Sequence, residues 1–466
     1  MNGKPEGLPR TARLPRTEWR SIAIAIAVCA CSKSGSVLPE SDASVAENSA
    51  SEIPEDFEEE PVFGSPDAGS ALDAGAAQTP IPTKIRYVVV LVKENHTFDN
   101  MFSRFPGATS ATDAPLSDGT RTPLRAADGD LPFDICHSVT CGQTAYAGGK
   151  MNGFDRMSKD AAKRLLPFFV YPERQIPNYW NYAREFVLAD HYFSSTLGPS
   201  APGHLTFWAA QPLLTNNPSC VLPDGGRCAG YGCRSSSTWI ADSFSGDGCS
   251  VKAKEKACYN VPVLMDHLPA GFTWKGYGGA FAALVQSTAV DPNYASHRGK
   301  KADLLGDLAT KTLPNLTMIH VNTGAESEHP PHHPCMGEND SVSIINALMA
   351  RPEWNEMAIV LTYDDSGGFY DSVKPSVDVC PDGKTYGRGF RLPLMILSPY
   401  ARRGSILKNV TEQASVPRLV EELWGIPFMT ARDRRARDGV AGSLLGAFDF
   451  AQPPRKPFVL PTRSCN

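Results

Sequence analysis

The chain has 466 residues, 42% of them hydrophobic, and a formal net charge of −5. That is enough apolar material for one large α/β domain or for two or three smaller ones. The near-neutral balance argues against a nucleic-acid partner. The charge is uneven, because residues 31–80 carry eleven Asp/Glu against one Lys while residues 81–466 are close to neutral.

At the N-terminus, Arg10, Arg13, Arg16 and Arg20 precede the apolar run 22–28 and then Cys29-Ala30-Cys31-Ser32. A basic region, a short apolar core and small residues predict an export signal over 1–31, too short to span a bilayer. Val28-Cys29-Ala30-Cys31 resembles a lipobox with Cys31 as the lipidated residue, a plain signal peptide cut nearby being the other reading. The chain is therefore expected to be exported. It would be a lipoprotein of a bacterial cell envelope, held by a lipid anchor rather than a transmembrane helix, or otherwise secreted. Residues 32–80 are Ser, Ala, Glu, Pro, Asp and Gly with few large apolar groups. Such a stretch cannot offset its ordering entropy and reads as a disordered acidic linker. The folded body is 81–466.

Within it, residues 85–92, 315–321, 357–363 and 392–397 are short, β-branched apolar runs. Helical patterns such as 341–350 and 416–424 alternate with them. Near-continuous apolar strands alternating with helices predict an α/β fold, a mostly parallel sheet covered by helices on both faces. In such folds ligands sit beyond the carboxyl ends of the strands. Residues 215–260, which hold five of the twelve cysteines, interrupt the alternation and read as a Cys-rich, loop-rich insertion. Once Cys29 and Cys31 are set aside an even ten remain, so disulfides are expected rather than a zinc-binding insertion, since no C-x-x-C pair repeats.

Two of the predicted strands run straight into polar clusters. The first is Lys93-Glu94-Asn95-His96-Thr97-Phe98-Asp99-Asn100 and the second Asp364-Asp365-Ser366-Gly367-Gly368. Adjacent carboxylates in a partly desolvated site repel unless a cation neutralises them. Two such clusters suit a hard-metal cage, against the alternative of solvated turns and caps. A third segment, Gly198-Pro199-Ser200-Ala201-Pro202-Gly203-His204, would hold a hydroxyl on a rigid turn. A fourth, Glu328-His329-Pro330-Pro331-His332-His333, packs three of the ten histidines into five residues. These could bind metal, hold phosphate or donate a proton, or simply be exposed.

In order, these segments resemble the phosphoesterase family of bacterial phospholipases C, plant non-specific phospholipases C and acid phosphatases. Glu94-Asn95-His96-Thr97-Phe98-Asp99 resembles its E-N-R-S-F-D, the Ser200 segment its G-P-[ST]-x-P-N-R-L, and Glu328–His332 its E-H-P-x-H. Residues 363–371 are similar to Y-D-E-x-G-G-F-Y-D, and residues 391–401 to R-V-P-x-x-x-I-S-P-x-A. Residues 423–433 and 448–450 resemble the closing L-T-A-R-D and F-D-F elements, so the likeness spans about 85–455.

The resemblance implies an alkaline phosphatase-like fold. Glu94, Asn95, Ser200, Asp364 and Asp365 would be ligands of a divalent metal ion (Ca, Mg, Mn or Zn). Ser200 would be the nucleophile, with His329 and His332 contacting phosphate or the leaving group. A hydroxyl made acidic by the cation would attack phosphorus, and water would then release the phosphoserine. His96 stands where the family has Arg, Gly203-His204 where it has Asn-Arg, Ser372 where many relatives have His, and Gln413 where a further His is usual. His204 is expected to replace the missing Arg at the substrate phosphate. The expected substrate is a phospholipid or a small phosphate ester. Hydrolysis of the phospholipid diester is the leading reading, a phosphomonoesterase the second, and a non-catalytic metal-binding lipoprotein the third.

Overall fold

The computed structural model describes residues 83–221, 231–244, 251–287, 296–377, 386–431 and 436–465. All of them belong to the unit Pro66–Asn466. The expected signal, Cys31 and the acidic linker lie outside the described residues, as do Cys228, Cys249 and Cys380.

The run expected at 85–92 forms strand β1 (Tyr87–Lys93), and every residue after Tyr87 is buried. Strands β2 (Val187–Ala189), β3 (Trp274–Gly278), β4 (Arg298–Gly299), β5 (Leu316–His320), β6 (Met357–Tyr363), β7 (Leu394–Leu397) and β8 (Ser405–Leu407) complete an eight-stranded sheet. Its order is β4-β3-β5-β1-β6-β7-β2-β8. The central strands β5, β1 and β6 pair in parallel. Residues on both faces of β5 and β6 are buried, which accounts for continuous rather than alternating apolar runs.

Strand β7 is antiparallel to both β6 and β2. The apolar run 392–397 thus joins the sheet in the opposite sense to the parallel strands that its pattern suggested. The chain leaves β6 at the carboxyl edge with Asp364 and re-enters from the same edge, with no α-helix among the described residues between. A return without a crossover is antiparallel. Strands β2, β3, β4 and β8 escape sequence reading because they are two to five residues long or, as in Trp-Lys-Gly-Tyr-Gly, weakly apolar.

Five helices matter for the site: α1 (Phe98–Phe102), α2 (Val139–Tyr146), α3 (Pro177–Glu185), α4 (Ser200–Ala209) and α5 (Cys335–Met349). All ten residues of α4 are buried. The insertion expected to be loop-rich instead contributes three antiparallel strands, Ser219–Val221, Thr238–Phe244 and Val251–Lys256. Disulfides join Cys136 to Cys141, Cys233 to Cys258 and Cys335 to Cys465. Cys220 is also disulfide-bonded, so none of these thiols is free to bind zinc.

Candidate active site

Register brings the first two clusters together. Lys93, the last residue of β1, pairs with Tyr363, the last of β6, and Val92 pairs with His320 at the end of β5. Neighbouring strands lie about 4.8 Å apart, so Glu94-Asn95 and Asp364-Asp365 leave the sheet side by side. The Asn95 backbone N–H donates to Asp364 Oδ1 at 2.9 Å, and its side-chain Nδ2 donates to Asp365 Oδ1 at 2.7 Å. Asn95 has a φ of 68°, a left-handed conformation that Asn tolerates better than most residues. Gly367 follows because a Cβ there would stand 2.1 Å from the Asn95 carbonyl oxygen.

Ser200 arrives from elsewhere, as the first residue of α4. Its Oγ lies 3.2 Å from Asp365 Oδ2 and 3.5 Å from Glu94 Oε2. The partial positive charge of the helix N-terminus favours an oxyanion at that hydroxyl. His204 and Trp208 follow at i+4 and i+8, on the same helix face. His204 Nε2 is 3.0 Å from Glu94 Oε1 and 3.4 Å from Asp364 Oδ2. On its other side His204 Nδ1 is 2.7 Å from His320 Nδ1, and Trp208 Nε1–H donates to His320 Nε2 at 3.1 Å.

The electrostatics of this buried cluster are unbalanced. Burial, reinforced by Asp364, pushes the Glu94 carboxyl above its ordinary range. Burial and the same neighbour push Asp365 well above it. Burial also works against an ionised Asp364, but the hydrogen bond and charge of His204 outweigh it and hold that carboxyl low. Two buried oxygens are short of donors: Asn95 Oδ1 receives no hydrogen bond, and Asp364 Oδ2 meets only His204 Nε2, 3.4 Å away. Acceptors short of donors among crowded carboxylates are what a divalent cation would satisfy. Carboxylate oxygens of Glu94 and Asp364 lie within 4.8 Å of each other. The residues present fit a cation.

The histidine segment is anchored by Glu328, whose Oε2 accepts from Tyr363 OH at 2.6 Å. Tyr179 OH also donates to Glu328, and buried Lys93 stands 3.6 Å from it. Burial raises the Glu328 carboxyl to about 7 against the pull of Lys93 and the two tyrosines. His329, next in sequence, is partly exposed and close enough to lower the carboxyl pKa of both Glu94 and Asp365. His332 is not brought into the cluster. Its side chain is 44% exposed, 3.9 Å from Asp130, and no described hydrogen bond or ion pair joins it to the carboxylates.

This assembly of a strand-end carboxylate cage and a helix-start serine coincides with one known family. Residues 85–427 match the Phosphoesterase family. The chain belongs to it.

Phospholipase C A of Mycobacterium tuberculosis (strain H37Rv) is 25% identical over 428 residues, spanning 80% of this chain and 78% of that protein. The non-hemolytic phospholipase C of Pseudomonas aeruginosa is 26% identical over 80% of this chain and 58% of its own length. Non-specific phospholipase C6 of Arabidopsis thaliana is 26% identical over 76% and 71%. Among solved structures, an alkaline phosphatase superfamily protein from Vibrio parahaemolyticus overlays 76% of this chain and 71% of its own, with a TM-score of 0.33 and 8% identity. Membership makes this chain a phosphoric ester hydrolase.

Its departures from the phosphoesterase pattern have structural roles. His96 is buried and stacked on Phe369 at 5.2 Å, with Nδ1 2.6 Å from Asn100 Oδ1 and Nε2 3.0 Å from the Glu328 carbonyl, of which a neutral ring can donate to one. Burial drops it to about 4, so it is a neutral packing element. Gln413 Nε2 donates to the carbonyls of Tyr363 and Asp364, while its Oε1 accepts from the Ser195 N–H at 2.9 Å. Ser372 donates its backbone N–H to Asp99 Oδ2 at 2.7 Å. Sequence reading missed His320 and Trp208. A histidine closing an apolar strand at the carboxyl edge is the same signal that singled out Glu94, and it could have found His320.

Proposed function

We propose that the chain is a serine-nucleophile, divalent-metal-dependent phosphodiesterase of the phospholipase C type, releasing a phosphorylated headgroup from lipid. The observation that carries this reading is Ser200 Oγ at the start of α4, within 3.2 and 3.5 Å of Asp365 and Glu94, beside the Asn95 amide oxygen, which lacks a donor.

Glu94, Asn95, Asp364, Asp365 and Ser200 would hold the cation. When bound it lowers the pKa of a neighbouring hydroxyl and offsets charge on phosphoryl oxygens. Asp365 Oδ2 receives the proton as Ser200 Oγ attacks phosphorus in line with the departing alcohol. His329 holds its Nδ1–H on the Pro330 carbonyl at 2.6 Å, leaving Nε2 to carry a proton from solvent to the leaving oxygen. Water then cleaves the phosphoserine. His332 stands farther out and would meet only an extended substrate, while His204 acts on the carboxylates rather than reaching the phosphate alone.

The diester reading is favoured over a monoesterase on charge. A monoester carries a second negative charge near neutral pH, yet family positions for Arg and His are here a neutral buried His96 and a Gln413 bonded to backbone. An exported enzyme with a lipid anchor at Cys31 would sit at its substrate's surface. The disulfides fit that oxidising compartment.

The test is hydrolysis of a chromogenic phosphocholine diester and a chromogenic monoester by the purified protein, with and without chelator. Chelator-sensitive diester cleavage that Ser200→Ala reduces at least about a thousandfold supports the proposal. Monoester cleavage alone replaces it with a phosphatase. A Ser200→Ala protein as active as wild type removes the nucleophile.

A further inference from the structure

A second cluster of ligand-type side chains lies outside the carboxylate cage. Asp134, His137 and His329 each place one such atom within 4.8 Å of the other two. The His137 and His329 rings are 5.5 Å apart and inclined at 70°. Asp134 and His137 flank the Cys136–Cys141 disulfide, which ties their segment to the first turn of α2.

The hydrogen bonds of the two imidazoles decide what they can do. His137 Nδ1 is 2.6 Å from the Ile135 carbonyl, and His329 Nδ1 is 2.6 Å from the Pro330 carbonyl. A carbonyl only accepts, so both Nδ1 atoms carry the hydrogen, and both Nε2 atoms present an unshared pair. Metal-binding histidines show this same arrangement, one ring N–H held by a carbonyl so that the other nitrogen meets the ion. Asp134 is about half exposed, its side chain at 48%, so an ion can reach the cluster from solvent. Asp134 Oδ1 now lies 3.9 Å from His137 Nδ1, so an ion on the two Nε2 atoms would take the carboxylate by rotation of this half-exposed side chain, completing a zinc-type donor set with an open position. The carboxylate cage is the opposite case. It is rich in oxygen, and the nitrogen it meets, His204 Nε2, is aimed as a donor.

We propose that Asp134, His137 and His329 form a second cation site, zinc-preferring and separate from the carboxylate cage. The ion would occupy the Nε2 lone pair of His329, so occupancy there and direct contact of that nitrogen with the leaving group exclude one another. The inference stands on the geometry of these three residues and does not need the phospholipase reading.

The experiment is metal counting. The purified full chain is stripped with chelator, dialysed, titrated with Zn²⁺ alone against a chromogenic zinc indicator, and the bound metal counted by mass spectrometry. Two equivalents are expected for wild type. His137→Ala and the exposed-surface variant Asp134→Asn should each lose one and keep the other, and Glu94→Gln should show the reverse pattern by keeping the equivalent that His137→Ala loses. Circular dichroism confirms that each variant is folded, and Asp134→Asn decides the matter if His137→Ala is not. A zinc count unchanged in the folded Asp134→Asn or His137→Ala protein overturns the site, as does a wild type that binds one equivalent sensitive only to Glu94→Gln.

Discussion

His204 and His320 meet nitrogen to nitrogen, Nδ1 to Nδ1 at 2.7 Å, and only one arrangement of hydrogens satisfies the whole chain of contacts. Trp208 Nε1–H can only donate, so His320 Nε2 accepts from it. Neutral His320 then carries its hydrogen on Nδ1 and donates to His204 Nδ1. His204 is left with Nε2–H, which points at Glu94 Oε1. Burial and the nearby His204 keep His320 well below an ordinary histidine pKa, in keeping with its neutral form. Burial disfavours charge on His204 too, but Asp364 and Glu94 outweigh it and lift that ring to about 9. A second proton on His204 would set two N–H groups facing each other somewhere along the chain. A cation held by Glu94 and Asp364 would offset that pull, and the satisfied arrangement would return.

His320 therefore positions the cage through His204. Replacing a group that orients the ligands of a metal typically costs 10- to 100-fold in affinity. His320→Ala should weaken cation binding by about that factor, and Trp208→Phe by less, as read by competition with a chelator of known affinity. A His320→Ala protein with wild-type affinity would show that His204 holds the carboxylates unaided.

Gly203 sets how closely α4 approaches the cage. A Cβ there would lie 1.9 Å from the Asp364 carbonyl oxygen, a backbone atom that cannot swing aside. Alanine would gain roughly 1 kcal/mol of helix propensity, but overpacking against fixed backbone costs about 1–3 kcal/mol. Gly203→Ala should lower the unfolding midpoint in urea and displace Ser200, reducing activity more than stability. An unchanged midpoint with full activity would contradict the packing seen here.

Asp99 makes stability depend on pH. Burial first, then the Asp371 charge, raise its carboxyl to about 7, although Arg391 opposes them from 3.3 Å. Between the ordinary carboxylate value and about 7 the folded state holds more protons than the unfolded one, so this group makes stability fall as pH rises. Asp99→Asn removes that contribution. Its stability relative to wild type should be near parity at pH 4 and should rise until about pH 7. Denaturant midpoints measured across that range check this, and a constant difference would place the Asp99 proton elsewhere.

The Cys335–Cys465 disulfide closes a loop of 130 residues and ties the C-terminus to the start of α5. Arg463 adds an ion pair to Glu338 at 2.7 Å. Loop-closure entropy for that length amounts to about 5 kcal/mol at most, with 2–5 kcal/mol typical when a native disulfide is lost. Replacing both cysteines with alanine should lower stability by that amount while leaving turnover at low temperature near wild type, since neither residue touches the cage. A large loss of turnover in the folded protein would mean that the strap also positions the Glu328 segment.

Local pattern was enough for the parts of this protein whose burial is complete along one stretch of chain. Strands β1 and β6 could be read within two residues, because both faces of those strands are covered and every position must be apolar, whereas helix α5 was legible only from Ser341 onward and begins six residues earlier. The carboxylates stood out because they follow such runs directly, and the family motifs fixed the order of Glu94, Ser200, His329 and Asp364. Other facts depended on neighbours more than a hundred residues away. The Lys93–Tyr363 register put the two carboxylate pairs beside each other, and Gly203 let Ser200 reach them. His332 lies outward beside Asp130, and Trp208 gave His320 its hydrogen-bonding role. A sequence encodes which side chains must leave water. Which of them then meet is decided by the packing of separate elements, and the chemistry of this site lies in those meetings.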